Sequence, residues 1–301
     1  MKDETFKTIP WPGFFATISF AHNHDKKEVV ITTTKVANGI YMLQGQGGNI
    51  GLSVGEDGVL MIDSQFAPLT KKIKGAISKL SQKDIKYLVN THWHYDHTNG
   101  NENIGKDKVT IVAHENVKKR LSEDSFIKAF NKTVPALSKV GLPTVTFTDK
   151  IEFSMNNENI EVIYQNNAHT DGDSIIFFKN ANVVHTGDIF FNGFYPFIDE
   201  SSKGDVDGVI KAAEYILSRI DDNTKVIPGH GKLSNKKELT YYKDTLVELN
   251  KRMKKLISEG KTLEEIVDLK PFADYDKKLG GGFLPPEKFL KIFYGVVKAN
   301  Q

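Results

Sequence analysis

The chain contains no cysteine, so neither a disulfide nor a thiolate metal ligand is available to it. Long apolar runs are missing too: no stretch of about 18 apolar residues could span a membrane. Charge of one sign is equally scarce. The 40 Lys and Arg nearly cancel the 38 Asp and Glu, leaving a formal net charge of +2, and the lysines are dispersed, so no overall field favours nucleic acid as a partner. Nothing repeats at a solenoid period, and residues 1–6 lack the apolar stretch of a secretory signal. Set against these absences, 39% hydrophobic residues over 301 positions suffice for a sizeable core, in one large domain or two small ones.

The densest chemistry follows the apolar run 85–89. Within six residues stand His92, His94, Asp96 and His97. The run reads as a buried strand, which places these residues at its carboxyl end, where open α/β layers keep their ligands. In an extended segment His92 and His94 point to the same side, so two imidazoles can converge on one cation. Asp96 and His97 follow as the chain turns, placed to serve a neighbouring cation. Three further candidates lie at similar strand-to-turn junctions: His169 after 160–165, Asp188 after 181–185, and His230 after 226–227. Each alone is compatible with turn chemistry, since Gly, Asp and Pro form turns and cap helices. Together the seven complete two coordination shells.

Hydrophobic patterning supplies the frame. Short runs at 29–34, 40–43, 49–54 and 59–62 alternate with Gly-rich turns, as in an antiparallel meander. A first outer helix spans 69–80, and strands at 85–89 and 109–112 with a helix at 115–121 extend one half. The second half repeats the scheme, with strands near 144–147, 151–153, 160–165, 174–178 and 183–185 and then a helix at 207–220. Sheets inside and helices outside follow from that order. Beyond 235, Leu239, Tyr242, Leu246, Leu249 and Met253 mark one apolar face of a long helix. Thr262 and Glu265 read as a capping box opening a short helix, and a last helix runs over 287–297.

With these residues in view, the chain resembles the metallo-β-lactamase superfamily. The family pattern is His-x-His-x-Asp-His, then a His, an Asp and a His, and all seven positions are met in order between about residues 39 and 231. The resemblance implies an α/β fold: an αββα four-layer sandwich, metallo-β-lactamase-like, over 1–234, with a C-terminal helical extension over 235–301 packed on it. It implies that His92, His94 and His169 hold a first zinc, that Asp96, His97 and His230 hold a second, and that Asp188 bridges both. The expected cofactor is therefore two Zn2+ per chain. Histidine and carboxylate ligation suits zinc ahead of Mn2+ or Fe2+, and diiron relatives generally carry a glutamate where His94 stands.

A water shared by two zinc ions ionises near neutral pH. The expected function is a dinuclear zinc hydrolase whose metal-bound hydroxide, oriented by Asp96 as catalytic residue, attacks an ester, thioester, lactone or β-lactam amide of a small molecule. The alternatives are a phosphodiesterase or nuclease of the same fold, or a metal-binding scaffold with an idle site. Lack of cysteine rules out the β-lactamase subclass that uses one, and a complete seven-ligand set looks more like the glyoxalase II, lactonase and phosphodiesterase branches.

The remaining candidates are peripheral. The loop 189–198 reads either as an apolar cleft wall or, at Phe190 and Phe191, as core. Trp93 lines the entrance or packs behind it, and the aromatic segment 11–15 could cover the same edge. His22 and His24 read as a solvated loop rather than a third metal site, His114 as a helix-start residue, and His185 as core or support. Expected partners are a small-molecule substrate, with no nucleic acid and no membrane, and a homodimer through the C-terminal helices if their apolar stripe is not used intramolecularly. Because many relatives are exported, a periplasmic or secreted location is expected, with a signal peptide absent from this chain.

Overall fold

Two sheets are built from the short alternating runs. In the computed structural model, which describes residues 28–300, the first sheet holds β1 (Thr32–Ala37), β2 (Ile40–Gln44), β3 (Ile50–Gly55), β4 (Gly58–Ile62), β5 (Ile85–Val89) and β6 (Thr110–His114). After a separate hairpin of β7 (Ser125–Ile127) and β8 (Lys132–Val134), β9 (Val145–Phe147) closes its far edge. The second sheet runs in chain order from β10 (Lys150–Met155) through β11 (Glu158–Gln165), β12 (Asp173–Phe178), β13 (Val183–His185) and β14 (Lys225–Ile227) to β15 (Ser234–Asn235). The segment 11–15 and the pair His22 and His24 lie outside the described residues.

Each sheet begins as an antiparallel meander and turns parallel where helices intervene. The switch falls at β4 to β5 in one sheet and β13 to β14 in the other. The helices are α1 (Thr70–Ser78), the one-turn α2 (Tyr95–Thr98), α3 (Asn101–Gly105), α4 (Glu115–Leu121), α5 (Val206–Arg219), α6 (Lys236–Ser258), α7 (Leu263–Leu269), α8 (Ala273–Leu279) and α9 (Pro286–Ala299).

Period-two alternation divides the core into layers. Leu60, Ile62, Val89 and Val112 face Val162, Ile176, Phe178 and Ile227 across the space between the sheets. Their neighbours Val59, Met61, Leu88 and Ile111 point the other way, onto Ile73 and Ile77 of α1. Ile175, Phe177, Val184 and Val226 likewise turn outward, onto Val209, Ala213 and Ile216 of α5 and onto the tail helices through Leu239, Leu246 and Leu249. The result is the αββα order. The tail's apolar stripe is thus spent inside the molecule. No helix among the described residues is long and apolar enough to cross a membrane.

The departures from the sequence reading have local causes. β1 starts at Thr32, not at 29, because its partner β2 ends at Gln44, opposite Thr32. The hairpin β7–β8 and helix α8 were not anticipated: strands of three residues hold too few positions for a period, and α8 buries only Leu279. The capping box of α7 is present on both sides, Thr262 accepting from the Glu265 N–H and Glu265 accepting from the Thr262 N–H.

Candidate metal centre

The seven candidate ligands meet at the carboxyl ends of β5, β13 and β14, on the edge where both sheets turn parallel. They form two adjoining groups: His92, His94, His169 and Asp188 in one, Asp96, His97 and His230 in the other. In the first group the His92 ring lies 4.9 Å from that of His94 and 4.7 Å from that of His169. Asp96 and His97 lie in the one-turn α2, where Thr98 donates its hydroxyl to the carbonyls of Trp93 and His94 and closes the turn. Asp188 reaches both groups. Its Oδ2 is 3.5 Å from His169 Nε2 and 3.4 Å from His230 Nε2, while its Oδ1 is 3.1 Å from His97 Nε2.

The outer hydrogen bonds fix which nitrogen of each ring faces inward. His94 donates Nε2–H to Asp199 Oδ2 at 3.1 Å, and His169 donates Nδ1–H to the Phe197 carbonyl at 2.7 Å. The nitrogens left over, His94 Nδ1 and His169 Nε2, are both lone pairs, yet they face each other across 2.8 Å. Thr91 gives its hydroxyl hydrogen to Asp63 Oδ2, so it accepts from His92 Nδ1–H at 2.9 Å and leaves His92 Nε2 bare. That buried nitrogen has no hydrogen-bond partner, nor has Asp188 Oδ1. His97 donates Nδ1–H to Asp63 at 2.7 Å and turns Nε2 onto His230 Nε2 at 3.3 Å. Converging lone pairs with no hydrogen between them repel unless a Lewis acid sits among them. The donor set therefore fits metal cations, and imidazole with carboxylate is borderline chemistry suited to zinc.

Electrostatics agree. Burial and the neighbouring imidazoles hold His92 well below the ordinary histidine range, and burial takes His169 down to about 4, so both rings are neutral donors. His97 and His230 go the other way. Burial opposes their charge, but Asp188 and Asp96 around both, with Asp63 at His97, outweigh it and raise His230 to about 9. Without another cation these carboxylates hold protons in its place.

Close backbone approach makes the room. A Cβ on Gly229 would lie 2.0 Å from Asp188 Oδ1, and one on Gly48 would lie 2.0 Å from the His97 ring. Asp63 itself sits at φ 62, a left-handed conformation unusual outside glycine, directly after β4. Below the loop, Asn90 and Asn101 exchange side-chain hydrogen bonds, and Ser64 donates to Asn101. Arg120 clamps Asp171 through two bonds, at 2.6 and 2.8 Å, fastening α4 to the loop that carries His169.

The residues singled out around the site separate cleanly. Trp93 is buried behind it and donates to Ser202 Oγ. Phe190 is core against Tyr242, whereas Phe191 stacks on His230, ring centroids 5.1 Å apart and 11° from parallel. His114 caps α4, accepting from the Asn116 N–H and donating to the Thr148 carbonyl, and His185 donates to the Asn49 carbonyl. Asp63, Thr91 and Asp199 were missed by the sequence reading. Asp63 follows the strand 59–62 and carried the same strand-end signal as the others. Asp199 lies in an irregular loop and carried none.

A cleft of about 430 Å³ opens over the ligands. Its floor is His94, Asp96, Asp188 and His230, and its walls are largely aromatic.

Comparison with known proteins places this edge in context. A family model described as the metallo-beta-lactamase superfamily matches residues 43–244. Among curated relatives, the 2,4-dinitroanisole O-demethylase subunit alpha of Nocardioides sp. (strain JS1661) is 26% identical over 145 residues, 46% of this chain and 40% of that protein. A probable hydroxyacylglutathione hydrolase of Schizosaccharomyces pombe is 28% identical over 151 residues, 49% of this chain and 48% of that protein. The chain spans under half the length of the curated relatives it matches. Two solved structures share the fold. The DIM-1 metallo-beta-lactamase aligns at TM-score 0.60 and 20% identity, covering 74% of this chain and all of that one, and a metallo-beta-lactamase from Pontibacter korlensis aligns at 0.58 and 18%, covering 72% and 98%. A match over residues 43–244, enclosing all seven candidate ligands, makes the chain a member of the metallo-beta-lactamase superfamily.

Proposed function

We propose that this protein is a metal-dependent hydrolase with two adjacent divalent cations, zinc by preference, acting on an ester, thioester, lactone or amide of a small molecule. The observation that carries the reading is the inward turn of three imidazole lone pairs, on His92, His94 and His169, each forced by a hydrogen bond on the ring's far side. His92, His94 and His169 would hold one cation, Asp96, His97 and His230 the other, with Asp188 shared. Metal ions in such sites acidify water and polarise a substrate oxygen.

The chain's own residues supply position and proton handling. Asp96 is a ligand whose side chain still reaches solvent, 25% exposed, and its carboxylate is held low by His97 and His230 against the effect of burial. An ionised Asp96 oxygen at the cleft floor can accept a hydrogen bond from the attacking water and orient it. Asp63 and Asp199 fix how the His97 and His94 rings are turned, by accepting Nδ1–H and Nε2–H respectively. Phe191, Phe197 and Trp93 close the back of the site and limit access of bulk water.

The relative named as a hydroxyacylglutathione hydrolase supports an acyl substrate. The aromatic cleft walls favour a second reading, an aryl substrate, in keeping with the relative named for 2,4-dinitroanisole. Metal-loaded protein should be screened against aryl esters, thioesters, lactones, β-lactams, aryl methyl ethers and phosphodiesters. Chelator-sensitive turnover of an acyl compound supports the first reading, turnover of the ether alone supports the second, and turnover of the phosphodiester alone overturns both.

A further inference from the structure

The cleft has a second end that the metal ligands do not explain. Four phenylalanine rings wall it, Phe66, Phe130, Phe197 and Phe283, and between them the hairpin β7–β8 brings in Ile127 and Lys132, which are paired across its two strands. Phe283 comes from the tail, in the segment between α8 and α9. It is 54% exposed, an unusual state for so large an apolar ring, and its centroid lies 6.3 Å from His230 and 6.4 Å from Phe130. A half-exposed ring set against a candidate metal ligand has apolar surface left to cover.

Among the described residues Lys132 is the one lysine or arginine lining this cleft. Its Nζ sits 3.6 Å above the Tyr95 ring, and Tyr95 is the residue before Asp96. Among the described residues Lys132 makes no ion pair. The two acids of the lining, Asp96 and Asp188, are occupied with His97 and His230 instead. The neighbouring Lys128, by contrast, is paired with Glu200. The cleft therefore presents a reacting end, apolar walls and, at Lys132, a positive charge that no carboxylate among the described residues pairs, within a volume typical of small-molecule sites.

We infer that Lys132 and Phe283 determine specificity, selecting substrates with an apolar or aromatic body and an anionic group remote from the bond that is cleaved. This rests on the cleft being the substrate site of the hydrolase proposed above. A solvated charge pair contributes little and a partly desolvated one more, so the charge should be felt as about a threefold to tenfold preference. Phe283 should act on the apolar body, whatever its charge.

Binding, rather than turnover, separates this idea from the hydrolase reading. Metal-loaded protein would be titrated calorimetrically with 3-phenylpropane-1-sulfonate and with 3-phenylpropan-1-ol, neither of which can be hydrolysed and the first of which is a poor metal ligand. The wild type should bind the sulfonate about threefold to tenfold more tightly. Lys132→Ala should abolish that preference and Lys132→Arg should keep it, while Phe283→Ala should weaken both probes by about fivefold. Equal binding of the two probes by the wild type would overturn the proposal. So would a preference that survives Lys132→Ala, or one lost on replacing Lys288, whose Nζ lies 4.4 Å over the Phe130 ring. Absence of turnover in the substrate screen with the charge preference intact would sink the hydrolase reading alone.

Discussion

His97 donates its Nδ1–H to Asp63 across 2.7 Å, and neither side chain has any exposed surface. The same carboxylate oxygen takes the Thr91 hydroxyl, which in turn receives the His92 Nδ1–H. One acid thus sets the tautomer of a ring in each ligand group. Asp63→Ala should lower metal affinity by about 10- to 100-fold, the usual effect of removing such a support. Competition against a chromogenic chelator measures it, and unchanged affinity at both sites would refute the role.

Chelation offers a broader check. Two groups of ligands predict two metals per chain by elemental analysis, and removing them should lower the melting temperature. Bound at a hundredfold excess over Kd, one cation stabilises by about 2.7 kcal/mol, which is several degrees in a chain of this size. A stoichiometry that stays at one after zinc reconstitution would remove the paired-metal reading.

Asp96→Asn keeps the shape of the side chain but not its charge. The strand behind it is held by the buried Leu88 and Val89, so stability at saturating zinc should change little. Turnover should fall by at least about 100-fold, the lower end for a positioned acid–base group. Wild-type kcat in that variant would show that Asp96 stands outside the reaction path.

Gly229→Ala tests the room made for Asp188. The new methyl would lie 2.0 Å from Asp188 Oδ1 and 2.6 Å from the Gly187 backbone, so the loop must move. Overpacking of this kind costs about 1–3 kcal/mol, and metal content should fall with it. Gly75→Ala is the control. It lies in α1 with nothing within 4 Å of the added carbon, and it should stabilise by about 0.5–1 kcal/mol. Parallel melts and metal assays distinguish the two, and equal effects would mean that the approach at Gly229 is not tight.

Much of the site could be read in advance because its chemistry is concentrated where strands end. His92 to His97 follow β5 within a single turn, and Asp188 and His230 follow β13 and β14 in the same way. Individual strands were legible for a related reason: residues 59–62 and 174–178 form runs buried along their whole length, whereas the strand near 144–147, expected in the second half, pairs with β6 in the first sheet. What escaped is carried by single groups without a period. Asp199 and the Phe197 carbonyl orient two imidazoles from an irregular loop. The cleft walls come from a hairpin of three-residue strands and from the segment that delivers Phe283, where no face recurs often enough to be recognised.

The tail also bears on how the molecule comes apart. Residues of α5, α6 and α9, among them Ile216, Leu249 and Phe293, belong to one apolar cluster with Ile175 and Val184 of the second sheet. Elements that share a core open together, so amide hydrogens in the middle of α6 should exchange at the rate of global unfolding rather than by fraying. Proteolysis in the middle of α6 should accordingly require the whole sandwich to open.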